Sequence, residues 1–211
     1  MTTQRILKSG EHAQVLGEEN TSMHFVLEDD AVLDYFLPIL GDENSNSRVT
    51  VELKGKRSRV NSHIVFFGHG AQEQKIHFEH VHLGQDTESS MSAKGAAKDK
   101  AVSSFFGSVK MLPGSINAKG HLSEHNLILS PHARITAIPA LEIEHNEVEA
   151  SHAATLERVD EEKMFYLNAR GLPTAEAMEL LVEGFFEAAF SSLEDEELRR
   201  KLIAELFKKL A

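Results

Sequence analysis

The 211-residue chain contains no cysteine. That absence excludes disulfide stapling, a thiolate nucleophile and thiolate metal ligation together. It also removes the usual protein ligands of an iron–sulfur cluster. A metal would have to be held by His, Asp or Glu, and the twelve histidines supply candidates without proving a site. No stretch is apolar for long enough to cross a bilayer. Met1–Gly10 has no apolar h-region, so no signal peptide is expected and the expected location is cytoplasmic. No G-x-x-x-x-G-K-[ST] loop occurs to cradle nucleotide phosphates, and no paired nucleophile and base stand out. A net charge of -11 disfavours nucleic acid and anionic membrane surfaces as partners, since both would repel the chain.

What is present fits a soluble globular protein: 41% hydrophobic and 26% charged residues. The length suits one domain, or one domain plus an appendage. The first thirty residues read as polar and weakly patterned. From Ala31 to about Thr155, short β-type runs recur every dozen residues or so, with no helical stretch among them. Ala31–Leu37 precedes a turn cluster, Gly41–Ser47. Arg48–Lys54 alternates, with Val49, Val51 and Leu53 on one face. Val60–Phe67, Lys75–Leu83, Met91–Ala97 and Ala101–Val109 follow. After them come Ile116–Leu122, Leu127–Ser130, Ile135–Ile138, Leu141–Glu144 and Val148–Ala153. Regular short strands mean a sandwich, a barrel or a solenoid. Small residues in Ser92–Ala97 and Ser103–Ser108 would suit the stacked corners of a solenoid. Asn-Gly and Asp-Gly hairpin dipeptides are absent. No strict repeat of fixed period is visible, so pattern alone leaves the three architectures open.

The composition changes after Thr155. Asp160 is a good N-cap for a helix over Glu161–Arg170, and Gly171 ends it. Pro173-Thr174 opens a second helix reaching about Phe190, with Ala177, Leu180, Leu181, Gly184, Phe185 and Ala188 as its apolar stripe. Phe186 falls off that stripe and is expected to be the more exposed phenylalanine. Ser192 with Asp195 forms a capping box for a third helix, Leu193–Leu210. The acidic run Glu194–Glu197 complements its dipole. The organisation expected is a β-rich body over 1–157, irregular at its N-terminus, and a helical domain over 158–211.

Several histidines are candidate ligands. Alternation puts Val148, Ala150 and His152 on one strand face. His152 is then either a hydrogen-bonded histidine ending a strand or an imidazole aimed into a site at a domain edge. His80 and His82 share a face and His77 opposes them. Glu88 is too distant for a cupin-type site, which favours a solvated polar strand face.

Five blocks, in order over about a third of the chain, resemble the SufB/SufD family of iron–sulfur cluster assembly proteins. GHLSEHNLILS at Gly120–Ser130 resembles the family's H-N-L-L-L segment. IPALEI at Ile138–Ile143 is similar to P-x-L-E-I. VEASHAAT at Val148–Thr155 resembles V-x-A/C-S-H-G-A-T. Asp160 with FYLNARG at Phe165–Gly171 matches D-x-x-x-x-F-Y-L-x-x-R-G. Ala177–Phe185 matches A-x-x-L-L-x-x-G-F. Upstream of about Ser115 the resemblance is weak, and the N-terminal part is smaller than in typical family members.

The resemblance implies a right-handed parallel β-helix followed by a small C-terminal helical domain. It implies that the helices bind a SufC-type ABC ATPase, through residues such as Phe165, Tyr166, Arg170, Phe185 and Phe186. It also implies pairing through the β-helices with a SufB-like subunit, or with a second copy as a homodimer. The SufD histidine corresponds to His152. The SufB cysteine position falls at His125 and the SufB acidic position at Ala153, so the chain is SufD-like. His152 and His125 become candidate iron or cluster ligands. Any iron–sulfur cluster would be transient and shared with a partner, none being held tightly by this chain alone, and the chain would not itself be an enzyme. Two other readings stay open. One is a histidine-ligated metal-binding enzyme on a β-scaffold, using His77, His80, His82, or His121 and His125. The other is a stand-alone binding module that has lost cluster assembly.

Overall fold

The structure, a computed structural model, describes residues 2–191, 193 and 195–210. Twelve strands form two six-stranded, all-parallel sheets, each taking alternate strands in sequence order. One sheet contains β1 (Thr3–Leu7), β3 (Ser22–Leu27), β5 (Ser45–Leu53), β7 (Glu73–His82), β9 (Val102–Met111) and β11 (Arg134–Ile143). The other contains β2 (His12–Leu16), β4 (Val32–Ile39), β6 (Arg59–Gly68), β8 (Glu88–Ala97), β10 (Lys119–Ile128) and β12 (Glu149–Arg158). The chain is therefore a β-solenoid of two-strand rungs. The N-terminal thirty residues are not irregular: they form the first three strands. Their weak pattern reflects short, exposed strands in which only Leu7, Ala13, Phe25, Val26 and Leu27 are buried apolar residues.

The absence of a strict repeat has a simple geometric cause. Thr3 pairs with Met23, whereas Val102 pairs with Arg134, so the rung-to-rung spacing runs from 20 to 32 residues. The registers still align like side chains in columns. In one column Leu37, Ile64, Ala93, Glu124 and Ala154 stack, and in its neighbour Tyr35, Ser62, Met91, Leu122 and His152 stack. The corners are not made by the small residues of 92–97 and 103–108, which lie inside β8 and β9. They make room for large neighbours instead: a Cβ on Gly95 would sit 1.9 Å from the Phe66 ring. One corner is a ladder of left-handed residues, Gly10, Asp30, Arg57, Asp86 and Asn117. The N–H of each donates to the next rung, as in Asp30 N to Lys56 O at 2.9 Å and Asn117 N to Glu147 O at 2.8 Å. Asn, Asp and Gly tolerate that conformation best.

The lumen is mostly apolar, with Phe25, Tyr35, Phe66, Phe78 and Phe105 among its largest buried side chains. His80 and His82 face into it and are fully buried, so they are not on a solvated strand face. A ring nitrogen of His80 meets Ser62 Oγ at 3.0 Å, and His82 bonds Thr87 Oγ1 and Ser89 Oγ at 2.7 and 2.8 Å. Burial pushes His80 down to about 3 and His82 to about 4. Glu124 also faces the lumen, and burial pushes its carboxyl up to about 7.

Three helices follow. In α1 (Glu161–Ala169), Asp160 accepts from the N–H groups of Glu162 and Lys163, and Gly171 follows with a φ of +93°. The second helix, α2 (Thr174–Phe190), buries Ala177, Val182, Phe186, Ala189 and Phe190. Its buried face is thus rotated from the stripe expected, and Phe186 is fully buried. The larger side chains win the core: Val182, Phe186 and Phe190 pack on Phe36, Val65, Phe67, Ala96 and Leu127 of the even-numbered sheet's outer face. Leu180, Gly184 and Ala188 are left outside, and Phe185 is half-buried. Leu202 and Leu206 of α3 (Glu196–Leu210) complete this second core. Asp195 itself caps α3, accepting from Glu197 N and Leu198 N at 2.9 and 3.0 Å. Ser192 and Glu194 lie outside the described residues.

Two stability predictions follow from these cores. Phe186→Ala should destabilise by about 3–5 kcal/mol, the usual cost of emptying a buried aromatic site, and Phe165→Ala by under about 0.5 kcal/mol, as read by urea unfolding. With EDTA present, the pH dependence has two arms. The histidines, charged only when unfolded below pH 6.5, add stability that is complete above 6.5 and lost as pH falls towards 4. Glu124 has the opposite sign: its folded value lies above the ordinary 4.5, so stability falls as pH rises from 4.5 to about 7. Glu124→Gln should therefore gain on wild type across that window, by roughly 3 kcal/mol at most.

Candidate functional site

Of the two candidate ligands, His152 lies on the last rung of the solenoid, formed by β11 and β12. Among the described residues neither β11 nor β12 has a strand on its outer side, so both present unpaired backbone edges. Inward-facing side chains of this rung have no further rung to cover them. Ile143 and Leu156 are accordingly 48% and 53% exposed although their columns are buried in the rungs below. His152 belongs to the same inward-facing set, registered on Leu122 of β10. It is exposed, and it is the fourth residue of a ten-residue strand rather than its end. No hydrogen bond or ion pair engages its imidazole among the described residues. The opposite end of the solenoid exposes Ile6 and Leu16. Its histidine, His12, is instead paired on the outer face with Asp34 at 2.7 Å.

His125 does not join His152. It registers on Thr155, three residues further along β12, and lies on the opposite face of the sheet. Its Nδ1 lies 3.0 Å from Thr155 Oγ1. Next to it in β8 is Lys94, whose Nζ donates to the carbonyl of Phe185 at 2.6 Å and sits 5.1 Å from that ring's centre. Burial lowers the Lys94 ammonium below its ordinary value. The outer face at His125 thus belongs to the seam between solenoid and helices, whereas His152 belongs to the open end.

The remaining histidines do not converge either. His77 is on the outer face of the odd-numbered sheet, stacked on Phe106 at 4.4 Å. His80 and His82 are in the lumen, and His121 is on the outer face of the other sheet, 2.8 Å from Ser151 Oγ. Among the described residues no three His, Asp or Glu side chains are grouped to hold a metal. This removes the structural basis of a His77, His80 and His82 metal centre, and of one on His121 and His125. Strand alternation alone could not have separated lumen from outer face for these residues.

A second surface lies on the helices. Phe165 and Tyr166 of α1 are 75% and 57% exposed, and Leu180 of α2 is 49% exposed. Arg170 donates to Tyr166 Oη at 3.1 Å and lies over that ring. Between α2 and α3 runs a groove of about 440 Å³ lined by Leu180, Glu183, Gly184 and Phe207 among others. Phe165, Tyr166, Arg170 and Phe185 are thus available at or near a surface. Phe186 is not, because it is the anchor of the helix core. No described helix is long and apolar enough to cross a membrane.

Residues 14–185 match the family model described as "SUF system FeS cluster assembly, SufBD core domain". The match thus extends well upstream of Ser115. The chain is 30% identical over 181 residues to the iron–sulfur cluster assembly protein SufD of Bacillus subtilis, covering 86% of this chain and 41% of that protein. It is 32% identical over 191 residues to a SufBD family protein of Mycobacterium leprae, covering 86% and 48% respectively. To SufD of Escherichia coli it is 27% identical over 207 residues, covering 95% and 48%. The chain spans about half the length of these relatives. With a family model matched over most of its length, and the parallel solenoid and helical tail the family resemblance implies, the chain belongs to the SufB/SufD family of iron–sulfur cluster assembly proteins.

Proposed function

We propose that this chain acts as a SufD-type scaffold component of iron–sulfur cluster assembly. It pairs through its open β11–β12 end with a SufB-like subunit or a second copy, and presents His152 at that interface. The observation that carries this reading is the position of His152: inward-facing, exposed and without a partner on the last rung. Exposed Ile143 and Leu156 beside it supply apolar area that another rung would bury. A neutral imidazole on a rim suits borderline metals such as iron. Iron and the nascent cluster are cargo here, shared with the partner and passed on. A persulfide would have to come from the partner, because this chain has no thiol. The reading places the chain in the cytoplasm, without a reaction of its own.

The helices contribute a docking face for a SufC-type ABC ATPase. Phe165 and Tyr166 of α1 and Leu180 of α2 are large apolar or aromatic side chains that lie outside the helix core built around Phe186. Exposed aromatics of this kind serve as anchors in interfaces. The acidic Glu183 at the groove favours a partner with basic residues at the contact.

The test is co-purification with the SufC-type ATPase from the same cell. Phe165→Asp and Leu180→Asp should leave thermal unfolding unchanged and weaken capture by about tenfold, a loss of about 1.4 kcal/mol. Capture at the wild-type level by both variants would overturn the placement of this face.

A further inference from the structure

Directly beneath the open end, a carboxyl is buried without a partner. Glu124 of β10 is 0% exposed and neither of its oxygens has a hydrogen bond among the described residues. Next to it on the same face, Asn126 is buried with both its amide oxygen and its amide nitrogen unpaired. A protonated carboxyl can rest in such a place, but a carboxylate there has neither water nor a cation to stabilise it. The inward-facing positions of β8, β9 and β11, and the others of β10, carry no ionisable group. Those of β12 offer His152 and Arg158, on either side of Ala154, which registers on Glu124. His80 and His82 face the lumen from β7. None of these four bonds the carboxyl.

What separates the carboxyl from the open end is one strand. No side chain of β12 is buried, and over Glu124 it places only the methyl group of Ala154. In β10 directly below, Leu122, Glu124, Asn126 and Ile128 are all buried. β12 is therefore held mainly by its backbone ladder to β10. That ladder is bracketed by Glu149 N on Ala118 O at 2.9 Å and Val159 N on Ile128 O at 3.3 Å. An edge strand held in this way opens at lower cost than the strands beneath it. Its opening lets water reach a charged Glu124 without disturbing the lower rungs. β12 also runs through Val159 and Asp160 straight into α1, which buries no side chain either.

We propose that Glu124 is a proton-operated latch of the last rung: while the carboxyl holds its proton β12 stays seated on β10, and loss of the proton opens β12, moving the His152 rim and α1 with it. The latch goes beyond the assembly reading and stands whatever pairs with the rim. Burial pushes the Glu124 carboxyl up to about 7, against the ordinary 4.5 that an opened rung restores. The closed rung therefore keeps its full stability below 4.5 and loses it as pH rises to about 7. Global unfolding responds with the opposite sign. It exposes His80 and His82, which a local opening leaves covered. Both are charged only once unfolded, so together they outweigh one carboxyl and make unfolding harder as pH rises towards 6.5.

The experiment is hydrogen–deuterium exchange of the full chain from about pH 5 to about pH 6.5, corrected for intrinsic exchange rates. The β12 amides bonded to β10 should exchange up to about tenfold faster per pH unit. Amides of β4 and β6, in the middle of the stack, should become more protected over the same interval. Glu124→Gln, close in shape and unable to ionise, should remove the β12 trend while β4 and β6 still gain protection. His152→Ala should retain both trends. A β12 trend that persists in Glu124→Gln would overturn the proposal. So would β12 amides that are as protected as those of β4 and β6 and move with them, since the rung would then open only with the whole chain. Loss of the β12 trend in His152→Ala would assign the switch to the rim imidazole and likewise overturn it.

Discussion

The structure depends on one constraint: parallel pairing that places each inward-facing side chain directly on the one a rung below. Strands about 4.8 Å apart leave a column only as much room as its members' volumes allow. Phe66 can lie flat because Gly95 follows it, and Glu124 has space because Gly107 faces it. The same columns turn an ordinary histidine into an exposed one. His152 occupies a position that in the four rungs directly below it is buried, as Leu122, Met91, Ser62 and Tyr35, and only the end of the stack uncovers it. Function, on this account, is a consequence of where a repeating core stops.

The two hydrophobic cores then divide the labour. The lumen core sets the stack and its open end. The second core, around Phe186, fixes α2 and α3 on the outer face of the even-numbered sheet and turns Leu180 outwards. Lys94 ties the seam by donating to the Phe185 carbonyl. The α2 face and the rim of β11 and β12 thus both rest on the same even-numbered sheet. A partner acting on the helices would pull against the same solenoid that carries His152.

Much of this was legible in the sequence, and the failures have physical causes. The Ser115–Gly184 motifs and the change at Thr155 gave the family and the β-then-helix order. Caps at Asp160 and Gly171 were readable because capping is local chemistry. Alternation grouped His80 with His82 correctly but could not say which face looked inward, since both faces of these strands mix polar and apolar residues. The α2 stripe failed for a related reason: Leu180, Gly184 and Ala188 counted as apolar, yet Val182, Phe186 and Phe190 bury far more area, and of the expected stripe only Ala177 is fully buried. Small residues in β8 and β9 suggested corners, whereas the corners use Asp, Asn, Arg and Gly in left-handed conformation. Glu124 carried no signal at all, because a single acid within a motif looks solvated until the register is known.

The most direct measurement of the central claim is hydrogen–deuterium exchange of the chain alone and mixed with the SufB-like subunit proposed as its partner. The β11 and β12 amides that point away from β9 and β10 should exchange fast alone and become strongly protected in the complex. Protection confined to other strands, with 149–158 unchanged, would contradict the placement of His152 at the assembly interface.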